Sequence, residues 1–466
     1  MITYIKIDGF KSFQEFEMEF TPLTVIAGPN AAGKSNLFDA LRLLSSLATT
    51  DKIQKAFREQ RGDLLELFTK YDDSTIADRM SFIVEMLVDS NIKDAWGASA
   101  NLKYTRLRYE LVLHRFTNNI GIEDIEVEYE KLDTIKHDTD KWLKIIPSIV
   151  TDKWRPKVVS GKRQTPYMKT IIDEEHDNAK KVIVPQDGSS GKKREYPLIH
   201  ATRTILSSFD SVDFKHILAA KEEMRSWRFL QLNPDVLRMP TNKTTADDTI
   251  TSTGQYLAAT LFRIKQNDPY DLVAISQKLH SFIPNFVDVD VIDDIENKQY
   301  VIELKDVAGK LYTSRVLSEG TMRILALCIL WRDYKHTGLL CFEEPENGVH
   351  PFRIKAMAQL LKDLSVDFND IESPLRQVII NTHSTIFIKE MKHWLEESTL
   401  TIAFAQVVNR IFTVNNKKKR MNASKITPVP KETGWQTAIE FSEQDRKLTL
   451  ATINEYLTDR DNESSN

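Results

Sequence analysis

The stretch "GPNAAGKSN", residues 28–36, sets glycines at 28 and 33, a lysine at 34 and a serine at 35. That is the G-x-x-x-x-G-K-S spacing, in which loop amides cradle phosphates, the lysine reaches the outer ones and the hydroxyl faces Mg2+. Its neighbours give the pattern structural meaning. Residues 16–26, "FEMEFTPLTVI", have strand composition and lead into the loop. Residues 35–47, "SNLFDALRLLSSL", carry apolar side chains at 37, 38, 41, 43, 44 and 47, the spacing of a helix with a broad buried face. Strand, glycine loop and helix in this order aim a helix amino terminus at bound phosphate. An α/β fold follows, with Gly28, Asn30, Gly33, Lys34, Ser35 and Asn36 as candidate nucleotide contacts.

A chain of 466 residues exceeds one ordinary core, which predicts several domains or one domain with a large insertion. With 41% apolar and 28% charged residues, the composition is that of a folded chain. No apolar run approaches membrane-spanning length, and "MITYIKIDGFKSF" at the start lacks the apolar core of a secretory leader. The expectation is a cytoplasmic protein with no membrane partner. Cys328 and Cys341 lie in apolar segments without metal-ligand spacing and are expected to be reduced core residues. A formal charge of -4 argues against a wholly basic surface but allows local basic patches.

Residues 2–7, "ITYIKI", also have strand composition. Residues 102–113 place Thr105, Leu107, Tyr109, Leu111 and Leu113 on one side of a strand, and 125–130, "IEVEYE", alternate as an antiparallel neighbour. Glu126, Glu128 and Glu130 are then expected on a solvated strand face rather than around a metal. From about 134 to 196 the periodicity fades through "DKWRPKVVSGKR" and "SSGKKREY", which suggests an irregular insertion. Residues 256–266 and 271–283 predict helices, and 286–306 predict two strands joined by a turn. The expected divisions are 1–90 and 251–415 as two halves of one domain, 91–250 as an inserted β, irregular and helical segment and the candidate partner-binding region, and 416–466 as a basic, then acidic, tail. There is no internal repeat and no sustained heptad pattern.

Three further motifs lie far along the chain. In "LLCFEEPENGVH", residues 339–350, a short apolar strand delivers Glu343 and Glu344 at its carboxyl end, where open α/β sheets bind ligands. The first acid suits the water shell of Mg2+ and the second suits an attacking water. A second buried strand, "QVIIN", ends in "THST", residues 382–385, and places His383 at the same level. In "RVLSEGTMRILALCILW", Ser318 can cap a helix, Glu319 suits its positive end, and Gly320 admits another backbone or a phosphate.

"GFKSF" (9–13), "GPNAAGKSN" (28–36), "LSEGTMRILAL" (317–327), "FEEPENGVHP" (342–351) and "NTHS" (381–384) together resemble the ATPase head of the RecF/SMC-like branch of ABC ATPases. Within that branch the chain looks most like compact ATPases related to the OLD family, many of them from bacterial anti-phage systems. The resemblance covers residues 1–50 and, in motif order, 250–410. It implies an ABC-type P-loop head with a mixed sheet, an antiparallel β subdomain and a large middle insertion containing helices. It also implies ATP and Mg2+ as cofactors. Lys34 and Ser35 would be the Walker A lysine and Mg2+ ligand, Glu343 the Walker B acid, Glu344 the catalytic base and His383 the switch histidine. Ser318, Glu319 and Gly320 fall in the signature motif, Asn347 and Gly348 in the loop facing a partner head, and Lys11 and Ser12 beside the nucleotide. Two departures stand out. Ala31 replaces a frequent glycine, a change tolerated if the position needs no positive φ. Glu343 replaces the usual aspartate, and its extra methylene moves the carboxylate by roughly 1.5 Å unless the backbone compensates.

In this branch the signature of one head completes the ATP site of another, so the resemblance implies a head-to-head dimer that is slow until assembled or triggered. OLD proteins continue into a Toprim nuclease domain, whereas about 55 residues follow 411 here. An effector in a separate chain, such as a nuclease, is therefore the expected partner. The rival is a RecF-like repair or maintenance ATPase holding duplex DNA through "KVVSGKR", "GKKRE" and "NKKKR". A transporter ATPase fits poorly, because Lys34 and Ser318 stand about 285 residues apart.

Overall fold

The computed structural model describes residues 1–148, 150–156, 165–173, 179–186, 193–244, 247–370, 372–414, 417–432, 439, 447 and 449–457. A six-stranded sheet forms its centre, in the order Arg228–Leu230, Gly338–Glu343, Arg376–Thr382, Leu23–Ala27, Leu400–Val414 and Lys417–Pro428. The first five run parallel and the last is antiparallel to its neighbour. Continuous apolar runs suit strands covered on both faces, and every residue of Leu23–Ala27 is buried. Ile26, Leu339, Cys341 and Ile379 share a core with Leu37, Phe38 and Leu41 of the helix Lys34–Thr49. Val25, Leu340, Phe342 and Ile380 belong to a second core with the helices Glu319–Arg332 and Ile354–Leu364. The two free cysteines are buried in different cores, Cys341 in the first and Cys328 in the second.

An eight-stranded antiparallel sheet covers the first core. Its order is Arg194–Pro197, Ala179–Val184, Met168–Asp173, Glu123–Thr134, Arg106–Thr117, Arg79–Leu87, Ile2–Asp8 and Phe16–Glu19. The mixed α/β architecture with an antiparallel subdomain is therefore present. Arg79–Leu87 pairs with both Ile2–Asp8 and Arg106–Thr117, so the sheet runs unbroken across the division drawn at residue 90.

Four local expectations change. The stretch 16–26 is two strands in two different sheets, because Pro22 lacks an amide donor and the Thr21 hydroxyl bonds the Leu23 carbonyl at 2.7 Å. The segment 134–196, expected to be irregular, contributes three strands; "KVVSGKR" and Gly191–Lys192 of "GKKRE" lie outside the described residues. Lys417–Arg420 of the expected tail begins a strand that pairs with Leu400–Val414 along twelve positions. Of that tail, 433–438, 440–446, 448 and 458–466 lie outside the described residues, as does Asn416 of "NKKKR".

Glu130 is the fourth. It is fully buried, whereas Glu126 and Glu128 keep about a fifth of their exposure. Val112 pairs with Tyr129 and Leu113 with Val127, which leaves Glu128 as the extra residue of a β-bulge. One added residue turns the following side chains to the opposite face. Glu130 then accepts hydrogen bonds from the amides of Ile205 (2.7 Å) and Leu206 (2.9 Å) and from the Tyr109 hydroxyl (2.9 Å).

Candidate nucleotide site

The register of the central sheet gathers the site. Glu343 lies opposite Asn381, and Asn381 opposite Ile26, two residues before Gly28. Three strand ends at one level therefore bring the phosphate loop, the acid pair and the histidine loop together, although more than three hundred residues separate the first from the other two in the chain.

Gly33 caps the helix Lys34–Thr49 in the left-handed region, φ 92°. A Cβ there would lie 1.9 Å from the Ser424 hydroxyl, so glycine is required on both counts. Ser424 comes from the strand Lys417–Pro428; its hydroxyl meets that of Ser12 at 2.7 Å and its amide donates to the Ser12 carbonyl at 3.0 Å. Asn36 donates to the same Ser12 hydroxyl at 2.8 Å. Ser12 and Asn36 thus brace the loop from its side, while Asn30 projects into solvent. Ala31 has φ 64°, so the condition for tolerating its methyl without strain is not met.

The Lys34 ammonium donates to the carbonyls of Gly28 (2.7 Å) and Pro29 (2.8 Å). Burial lowers its pKa, opposed by the carboxylates of Glu344 and Glu346. Lys11, expected beside the nucleotide, places its ammonium 2.7 Å from Asp39. Asp39, almost completely buried, also takes Arg42 at 3.2 Å and Arg61 at 2.9 Å, and Arg61 stands 3.8 Å from Glu343.

Ser35, Glu343, Glu344, Asn347 and Asn381 line one cavity of about 520 Å³, together with Gln231 and Arg323. The Asn381 amide donates to Ser35 Oγ at 3.3 Å. Glu343 Oε1 and Asn381 Oδ1 are both buried and accept no hydrogen bond, Arg61 standing 3.8 Å from the former. Buried oxygens without hydrogen bonds, beside a serine hydroxyl, are a hard donor set that fits Mg2+. Ser35 and Glu343 are the residues that would hold it.

Glu344 follows the strand with φ 47°, an uncommon conformation for a side chain other than glycine. Its amide is held by the Asn381 carbonyl at 2.8 Å. Its Oε1 meets His383 Nδ1 at 2.7 Å, and its Oε2 accepts from Asn347 Nδ2 at 2.6 Å. The buried Glu346 accepts from the Thr382 hydroxyl, and burial raises its carboxyl pKa.

In the signature motif, Ser318 caps the helix Glu319–Arg332, with its hydroxyl 3.4 Å from the Thr321 amide. A Cβ on Gly320 would lie 3.2 Å from the Gly348 carbonyl, so the close backbone neighbour belongs to the same chain. Glu319 pairs with Arg323 at 3.0 Å. Sequence reasoning did not single out Asp39, Arg61, Gln231, Arg323, Glu346 or Ser424. Glu346 carried a signal, lying inside the acidic motif; the others are assembled by tertiary contacts.

A family model described as "AAA domain, putative AbiEii toxin, Type IV TA system" matches residues 23–389, from the strand before the phosphate loop to beyond His383. The chain belongs to this family. The ATPase domain occupies most of the chain, and in motif order and site geometry it resembles a RecF/SMC-like ABC head. Urease accessory protein 2 of Cryptococcus neoformans var. grubii is 29% identical to the ATPase over 146 residues, 30% of this chain. The match spans 10% of that protein's length. Among solved structures, an SMC head bound to the C-terminal winged-helix domain of ScpA aligns with TM-score 0.46 and 13% identity, covering 92% of this chain and 98% of that one. The SMC head domain from Thermotoga maritima aligns with TM-score 0.37 and 11% identity over 92% and 99%. Among the described residues of the ATPase, no helix is long and apolar enough to cross a membrane.

Proposed function

We propose that the chain binds and hydrolyses ATP, that two copies engage head to head, and that the dimer regulates a partner effector in anti-phage defence. The observation that carries the hydrolytic part is the Glu344–His383 pair, whose Glu344 shares a cavity with Ser35 and with buried oxygens that accept no hydrogen bond and suit Mg2+. Lys34 would leave the carbonyls of Gly28 and Pro29 for the outer phosphates. Glu344 would accept the proton of an attacking water while His383 and Asn347 hold its two oxygens. Mg2+, bound by Ser35 and Glu343, would supply charge neutralisation at the transferred phosphoryl group.

In the role the resemblance gives it, the signature tip would complete the ATP site of a second copy, so full turnover would need the dimer. The segment 91–250 would hold the effector, and head closure would change that grip. Measuring ATP turnover and the mass of the full chain, purified from its host with and without ATP, tests this reading. ATP-dependent dimers and a co-purifying effector chain are expected. A monomer with salt-sensitive, high-affinity DNA binding would replace it with the RecF-like reading.

A further inference from the structure

Residues 449–457, "TLATINEYL", are helical. Thr449, Ile453 and Leu457 recur every four residues and are all buried, while Leu450 on another side is exposed. Ile453 and Leu457 join the core that contains Phe387 and Phe404. This spacing brings Tyr456 onto the docked side. Its ring meets Phe404 edge-on at 5.6 Å, and its hydroxyl donates to the main-chain carbonyl of His383 at 2.7 Å. His383 is therefore held twice, by its carbonyl to Tyr456 and by its ring to Glu344. Around it, Thr382 ends a strand and Ser384 caps the helix Thr385–Lys392, leaving His383 as the joint between two fixed elements.

We propose that Tyr456 is a positioning residue for the switch histidine: the carboxyl-terminal helix fixes the His383 backbone and so aims its imidazole at Glu344. This rests on the reading of Glu344 and His383 as the hydrolytic pair. Tertiary packing holds a surface helix more than propensity does, so the contact depends on docking through Ile453 and Leu457. A misaimed imidazole would weaken its hold on Glu344 without touching the groups that grip phosphate.

The test uses the full-length chain with Tyr456→Phe, which removes the hydroxyl and keeps the ring against Phe404. Loss of one hydrogen bond predicts a fall in kcat of about two- to tenfold, with the KM for ATP within about twofold of wild type. Histidine-selective 15N NMR reads the contact without turnover. The His383 ring resonance, assigned by its loss in His383→Gln, is expected to move in Tyr456→Phe. Wild-type kcat and an unmoved resonance in the variant would overturn the proposal. A wild-type chain that shows no ATP turnover would sink the hydrolytic reading instead. The resonance alone would then decide whether Tyr456 positions His383, with movement supporting the contact and its absence overturning it.

Discussion

His383 Nδ1 lies 2.7 Å from Glu344 Oε1, so the histidine loop and the acidic loop are joined through side chains as well as through the parallel pairing of their strands. Asn347 occupies the other oxygen of Glu344. A carboxylate engaged on both oxygens is fixed in direction, which suits a group that must meet a water at one place.

Lys34→Ala and Glu344→Gln are expected to separate binding from turnover. Lys34 holds loop carbonyls and can reach phosphate, so its loss should weaken ATP binding by tenfold or more, about 1.4 kcal/mol. Glu344→Gln preserves the shape that meets His383 and Asn347 but removes the base. It should bind ATP as wild type does while kcat falls by roughly a hundredfold or more. Nucleotide titration and steady-state phosphate release measure the two effects, and equal turnover by wild type and Glu344→Gln would remove the base assignment.

Ala31→Gly should stabilise the chain. Ala31 is exposed with φ 64°, where a Cβ costs about 1 kcal/mol and glycine costs little. Greater chain entropy in the unfolded state offsets part of the gain. The expected net is about 0.5 kcal/mol, read as a rise in the denaturant midpoint without nucleotide.

The phosphate loop, its flanking strand and helix, and the acid and histidine strands were legible because each is decided by residues close in sequence. Four apolar residues followed by Glu343 and Glu344 read as a buried strand with a polar tip, and the sheet places them so. The helices at 257–267 and 269–282 likewise follow their own spacing. Glu130 was misread because alternation carries no mark of a bulge, and one extra residue at Glu128 reverses the face. Lys417–Arg420 looked like a tail because Lys417, Lys418 and Arg420 are exposed and tolerate charge, while the apolar residues that cover this end of the hairpin, such as Phe412, lie on the partner strand. The cluster of Lys11, Arg42 and Arg61 around Asp39 joins residues up to 50 apart in the chain, and no local pattern encodes it.

The buried bulge neighbour gives a pH prediction. Burial lifts the Glu130 carboxyl from 4.5 to about 7, against three hydrogen bonds that favour the carboxylate. Between those values the folded chain keeps a proton that the unfolded chain has lost. The contribution is complete below about pH 4.5 and is lost as pH rises through about 7, up to about 3 kcal/mol. Glu130→Gln cannot titrate, and its amide would meet hydrogen-bond donors, so it should be less stable throughout but with a flatter profile. Thermal melts of both proteins from pH 5 to 8 measure this; parallel profiles would show that Glu130 is ionised throughout.

Gly348→Ala should uncouple the signature tip. Gly348 has φ +74°, and a Cβ there would lie 2.4 Å from the Glu319 carboxyl group. Glu319 is the flexible member, so it would be pushed away and its pair with Arg323 broken. That pair is partly exposed and contributes about 0.5 kcal/mol or less, and alanine at positive φ adds a cost of about 1 kcal/mol, so the fold should survive with a modest loss of stability. Arg323 lines the same cavity as Glu344 and Asn347, and on the proposed dimer reading the signature tip that carries Glu319 is what a second copy would engage. Nucleotide binding to the single chain should stay within about twofold, because Lys34 and Ser35 are untouched. ATP-dependent dimerisation and turnover should fall together by about tenfold, roughly 1.4 kcal/mol. Sedimentation with and without ATP, run beside phosphate release, checks the coupling. If turnover fell while dimers formed as in wild type, the Glu319–Gly348 contact would act on Glu344 within one chain rather than through the partner.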